Sequence, residues 1–134
     1  MKKYLEITIG DVVARAELLE NEAPKLCTEI EKAAPLLEGK LNHAKVCDNE
    51  VFFQAPFFSD ELENMIVPQP GDIAYWIARQ TICIWYDETT PLGPANVFAR
   101  IIPEDRHLFA AEASKVWENQ GTHIKMVVKE VGKE

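Results

Sequence analysis

From Tyr4 to Leu19 hydrophobicity alternates residue by residue, and a period of two commits the chain to open as paired β-strands. Leu5, Ile7 and Ile9 fall on one face, with Tyr4, Glu6 and Thr8 on the other. Gly10-Asp11 then supplies the positive-φ chemistry of a tight hairpin turn. The return strand again alternates, with Val12, Ala14, Ala16 and Leu18 opposite Val13, Arg15 and Glu17.

The period changes at Asn21-Glu22-Ala23-Pro24. Asn21 or Glu22 lies beside the helix cap, and proline is tolerated in the first turn, where a missing N–H costs nothing. Leu26, Ile30 and Ala33 or Ala34 form the inward stripe, and Pro35 stops the helix after about three turns. It is expected to plug one end of a barrel. Strand patterns return from Gly39, over residues 41–47 and 50–54, joined by an Asp48-Asn49 turn. Residues 55–70 are irregular and carry Pro56, Pro68, Pro70 and the pair Phe57-Phe58. A loop of this length reads as a flap over a cleft, against the alternative of a packed surface excursion.

Pro70-Gly71-Asp72 predicts a turn and residues 73–76 a strand. Residues 81–86 are nearly all apolar or aromatic, which predicts a strand buried on both faces. A rigid loop over 89–94 leads to a strand over 96–102. Pro103-Glu104-Asp105 opens a second helix with carboxylates in its first turn. Phe109, Ala113 and Val116 are its stripe and Gly121 its close, before a last strand over 122–129 with Ile124, Met126 and Val128 on one face. There is no repeat or low-complexity tract, so residues 1–134 read as a single domain.

Charge and composition narrow the function classes. The net charge is −8 with 14 Lys and Arg, and no basic stripe exists, so no nucleic-acid partner is expected. No run of eighteen apolar residues exists, so no membrane-spanning helix is expected. Met1-Lys2-Lys3-Tyr4 lacks a signal peptide's apolar core, and Cys27, Cys47 and Cys83 are an odd, unpaired set. A cytoplasmic protein with reduced thiols is the expectation.

Three segments, in order, resemble the cyclophilin superfamily. They are Leu18-Leu19-Glu20-Asn21-Glu22-Ala23-Pro24-Lys25, the aromatic strand Ile82-Cys83-Ile84-Trp85, and Pro91-Leu92-Gly93 followed by Val97-Phe98-Ala99-Arg100-Ile101-Ile102. Glu50-Val51-Phe52-Phe53 and Pro70-Gly71-Asp72-Ile73-Ala74-Tyr75-Trp76 are similar to small microbial cyclophilin-like proteins of unknown function. The resemblance implies a closed antiparallel β-barrel of about eight strands with two capping helices. Prolyl-isomerase cyclophilins polarise the amide with the arginine of a Phe-His-Arg strand. Here the corresponding strand reads His43-Ala44-Lys45-Val46-Cys47, Pro91 replaces the groove tryptophan, and only Gln54 echoes the second isomerase motif.

Among candidate chemistries, serine catalysis has only Ser59 and Ser114 to draw on, neither on an elbow motif. His43 and Cys47 share a strand face but lack a third ligand, so neither a metal nor a cofactor is expected. The candidate ligand site is an aromatic groove of Phe53, Gln54, Phe58, Tyr75, Trp76, Cys83 and Trp85, the residues that frame the groove in relatives. Glu50 is the carboxylate to watch there as a base, and each aromatic has a core role as its alternative. The expected function is small-molecule binding as a metabolic accessory protein, with a weak prolyl isomerase or proline-peptide binder as the alternative. A homo-oligomer that buries the groove is the third reading.

Overall fold

The computed structural model describes residues 3–34, 37–45, 48–91 and 93–131. Nine strands and two helices follow one another as β1 (Lys3–Ile9), β2 (Val12–Leu18), α1 (Pro24–Ala33), β3 (Leu37–His43), β4 (Glu50–Gln54), β5 (Met65–Ile66), β6 (Asp72–Trp76), β7 (Thr81–Trp85), β8 (Ala95–Ile101), α2 (Arg106–Ser114) and β9 (Thr122–Glu130). The sheet runs β2-β1-β9-β3-β4-β7-β6-β8, and a β2–β8 pairing closes it into an antiparallel barrel of eight strands. The two-residue β5 pairs only with the start of β8 and lies outside that ring.

The alternation read from the sequence points inward. Leu5, Ile7 and Ile9 of β1 and Ala14, Ala16 and Leu18 of β2 meet Val51, Phe53, Ile73, Tyr75, Ile82 and Ile84 in one core. Leu26 and Ile30 of α1 and Phe109 and Ala113 of α2 enter the same core. Each large apolar side chain so buried contributes about 1.5–3 kcal/mol by removing its surface from water.

Several element bounds differ from the sequence reading, for physical reasons. β3 begins at Leu37, not 41, and continues through Gly39, because that glycine leaves room for the Phe53 ring on β4. A Cβ at Gly39 would stand 2.8 Å from Phe53 Cδ2. β3 ends at His43, and Ala44 N–H donates to the Glu50 carbonyl at 2.9 Å across the turn into β4. The predicted strand end at Val46-Cys47, like Pro35 and Leu92, lies outside the described residues. The N-cap of helix α1 is Ala23, directly beside Glu22. Its first free N–H groups, those of Lys25 and Leu26, donate to the two Glu63 carboxylate oxygens at 2.8 and 2.9 Å. Helix α2 begins at Arg106, after a single 3₁₀ turn over Pro103–Asp105, and ends well before Gly121.

Residues 55–70 are the largest departure. They are held against the barrel rather than arched over a cleft. The Tyr75 hydroxyl donates to the Phe57 carbonyl at 2.8 Å and accepts from Ser59 N–H at 3.0 Å. Asn96 accepts from Asn64 N–H and donates to the Glu61 carbonyl, both at 3.0 Å. The Pro70-Gly71-Asp72 motif is structural too. Asp72 is fully buried, with Arg100 Nε donating to Oδ1 at 2.7 Å and Gln69 N–H to Oδ2 at 2.8 Å.

Candidate functional site

The outward face of the β3-β4-β7-β6 sheet carries a second apolar layer. Because side chains alternate, the residues left outside the barrel on β4 are Glu50, Phe52 and Gln54, on β7 Thr81, Cys83 and Trp85, and on β6 Ala74 and Trp76. Register assembles them into rows. Asn42, Phe52, Cys83, Ala74 and Val97 lie side by side across five strands. Gln54, Thr81 and Trp76 form the row toward one end, and Glu50 and Trp85 the row toward the other.

A cavity of about 610 Å³ opens on this face, lined by Glu50, Phe52, Trp76, Thr81 and Cys83, with Asn42, His43, Ala44, Lys45, Arg79 and Gln120 around them. Glu50 and the Trp76–Thr81 row are four residues apart along the strands, or roughly 13 Å at strand rise. Glu50 is only 2% exposed and is itself engaged in an interaction, on a floor it shares with Phe52, Trp76, Thr81 and Cys83. Lys45 and Arg79 carry positive charge at the rim. Thr81 Oγ1 and Cys83 Sγ lie 3.5 Å apart on the floor.

One wall is a built polar cluster. His43 Nδ1 is 2.8 Å from the Ala44 carbonyl, which only accepts, so Nδ1 carries the proton. Nε2 of the neutral ring then accepts from the Tyr86 hydroxyl at 2.8 Å. The imidazole stacks on Trp117 with centroids 4.0 Å apart, and His43 N–H donates to Gln120 Oε1 at 2.9 Å. Burial holds the His43 pKa below the usual imidazole range, opposed by the Ala44 carbonyl. Burial, with a smaller contribution from Asp87, raises that of Tyr86.

The residues singled out from the sequence divide by face. Glu50, Trp76 and Cys83 line the cavity, and Trp85 is buried in the layer beneath, its Nε1 without a partner among the described residues. Phe53 and Tyr75 point into the barrel core, where the Tyr75 hydroxyl is occupied by Phe57 and Ser59. Gln54 donates its amide to the Gln80 carbonyl at 2.8 Å and does not line the cavity. Phe58 is exposed beside Pro24 and Thr28 of α1, on a different surface. Phe52, Arg79 and Gln120 escaped the sequence reading as site residues, and His43 entered it only beside Cys47 as a metal-ligand pair lacking a third member. For Phe52 a signal existed: it shares parity with Glu50, whereas Phe53 does not. Among the described residues no group of three or more His, Cys, Asp or Glu is placed to hold a metal ion. No helix among them is long and apolar enough to cross a membrane.

A closed eight-stranded antiparallel barrel with two helices and a groove on its outer face defines a cyclophilin-like protein. Residues 3–117 match the model of the family described as cyclophilin-like, and the chain belongs to that family. Several solved structures share the fold, two of them as follows. McbB, determined in complex with tryptophan, is 16% identical, with a TM-score of 0.76 over 99% of this chain and 46% of McbB. This chain therefore spans about half the length of McbB. The hypothetical protein AF2241 from Archaeoglobus fulgidus, determined in solution, is 22% identical, with a TM-score of 0.67 over 94% of both chains. No curated protein matches the chain.

Proposed function

We propose that this protein binds a small organic molecule in the outer groove and serves metabolism as an accessory protein. The observation that carries the reading is the lining of the groove: Phe52 and Trp76 beside a carboxylate, Glu50, that is 2% exposed. About 610 Å³ lies within the usual range of small-molecule sites, which join aromatic walls to a few fixed polar groups. A flat ring suits Trp76 and Phe52. The tryptophan held by McbB, a relative in fold, supports a ligand of that size and shape.

The experiment is a thermal-shift screen of metabolites that includes the aromatic amino acids and a proline peptide. A true ligand at a hundredfold excess over Kd adds ~2.7 kcal/mol of stability. Trp76→Ala is expected to weaken binding about tenfold while the fold survives. A library without a single hit, or a hit indifferent to Trp76→Ala in a folded variant, refutes the proposal. Turnover of the proline peptide above background would instead favour prolyl isomerisation, the alternative raised by the family resemblance.

A further inference from the structure

Three of the chain's four arginines, Arg15, Arg100 and Arg106, line one cavity of about 420 Å³ that shares no lining residue with the groove. Register brings them together. Tyr4, Glu17, Arg100 and Asp72 form a row across β1, β2, β8 and β6, with Arg15 two residues from Glu17 on the same face. Arg106 joins from the first residue of α2.

Each guanidinium is anchored through Nε alone. Arg15 Nε donates to Asp105 Oδ2 at 3.3 Å, Arg100 Nε to Asp72 Oδ1 at 2.7 Å, and Arg106 Nε to the Ile101 carbonyl at 3.4 Å. The terminal nitrogens of all three make no hydrogen bond among the described residues. Asp105 and Asp72 are occupied in this scaffolding, since Asp105 Oδ2 also accepts Arg15 N–H at 2.8 Å and Asp72 also accepts Gln69 N–H. Glu17, the one carboxylate among the described lining residues, is itself engaged in an interaction. Gly71, at φ +93°, lets Arg106 lie against the backbone, because a Cβ there would stand 2.9 Å from Arg106 Nε. Ile101, Ile102, Pro103 and Val131 give the cavity an apolar side.

We propose that this cavity binds a small organic dianion, a phosphate monoester or a dicarboxylate. The free guanidinium ends take the charged oxygens, and the apolar side takes the carbon skeleton. Planar guanidinium forks are the side chains best matched to such oxyanions. Fixing them through Nε sets their orientation before the ligand arrives, which lowers the ordering cost of binding. In a chain of net charge −8 the general field repels anions, so only a local cluster of this kind can hold one.

The test uses the full chain, isotope-labelled at arginine, titrated with phenyl phosphate, succinate and inorganic phosphate while the arginine Nε–Hε signals are followed by NMR. Four arginines give four signals. Saturable movement of those of Arg15, Arg100 and Arg106, with Arg79 in the groove unmoved, is the expected result. Arg106→Gln is expected to weaken binding about tenfold, and Trp76→Ala to leave it unchanged. Should Arg106→Gln fail to fold, Arg15→Gln, whose side chain is 53% exposed, replaces it. The proposal is overturned if neither organic dianion moves the three signals by ~10 mM, a concentration at which even weak sites fill. Movement of Arg79 alone, unchanged affinity in a folded arginine variant, or equal affinity for inorganic phosphate would also overturn it.

Discussion

Replacing Tyr75 with phenylalanine deletes one oxygen atom and, with it, the clasp that holds residues 57–59 to β6. The ring itself is 1% exposed, packs in the barrel core and stacks on Phe57 with centroids 5.6 Å apart, so the apolar contacts survive the change. What is lost is the bond to the Phe57 carbonyl at 2.8 Å and the bond from Ser59 N–H at 3.0 Å. Each such bond contributes ~0.5–1.5 kcal/mol net, and a buried partner left unmade adds to the cost, for about 1–3 kcal/mol in all. Melting should fall by roughly 5–10 °C in a domain of this size. Urea unfolding measures the global loss, and hydrogen exchange should show Ser59 N–H exchanging faster than the β6–β7 ladder. Stability within roughly 0.5 kcal/mol of the parent, the scatter of neutral substitutions, would refute the clasp. If ligand binding were lost instead with stability intact, Tyr75 would be a groove residue after all.

Three further outcomes follow from the same physical picture. The His43 pKa is lowered in the fold, so the unfolded chain takes up the proton first as pH falls below 6.5; stability present above that value is lost toward the folded pKa, and urea midpoints at pH 7.5, 6.5 and 5.5 should fall more in the parent than in His43→Gln. Burial, reinforced by the charges of Glu20, Glu63 and Glu22, pushes the Cys27 thiol up to about 12. Peptide mapping after iodoacetamide at pH 8 should find Cys27 unmodified in native protein and modified in urea. Gly39→Ala drives a methyl to 2.8 Å from the Phe53 ring and should cost about 1–3 kcal/mol; a double-mutant cycle with Phe53→Leu should recover part of it, and strict additivity would rule out the contact.

How much of the site was legible depends on which face of each strand is in question. Strand residues an odd number of positions apart face opposite ways, so Glu50 and Phe53, or Tyr75 and Trp76, cannot share one groove. Side-chain character alone, aromatic or acidic, drew both members of each pair into the candidate site, and parity separates them. The irregular segment misled for another reason. Its anchors, Glu63 on the start of α1, Asn64 on Asn96 and Ser59 on Tyr75, bond to residues distant in sequence, and no local pattern records them. The arginine cavity was equally hidden, since Arg15, Arg100 and Arg106 are scattered through the chain.

The sequence by itself determined most of the strands, the two helices and the family. Periods of 2 and 3.6, turn residues and family motifs are local properties, legible within a dozen residues. Only the tertiary structure decided the closure of β2 on β8, the docking of residues 55–70, and which strand faces form the groove. These rest on register and packing between segments far apart in the chain, where a shift of one residue exchanges the inside of the barrel for its outside.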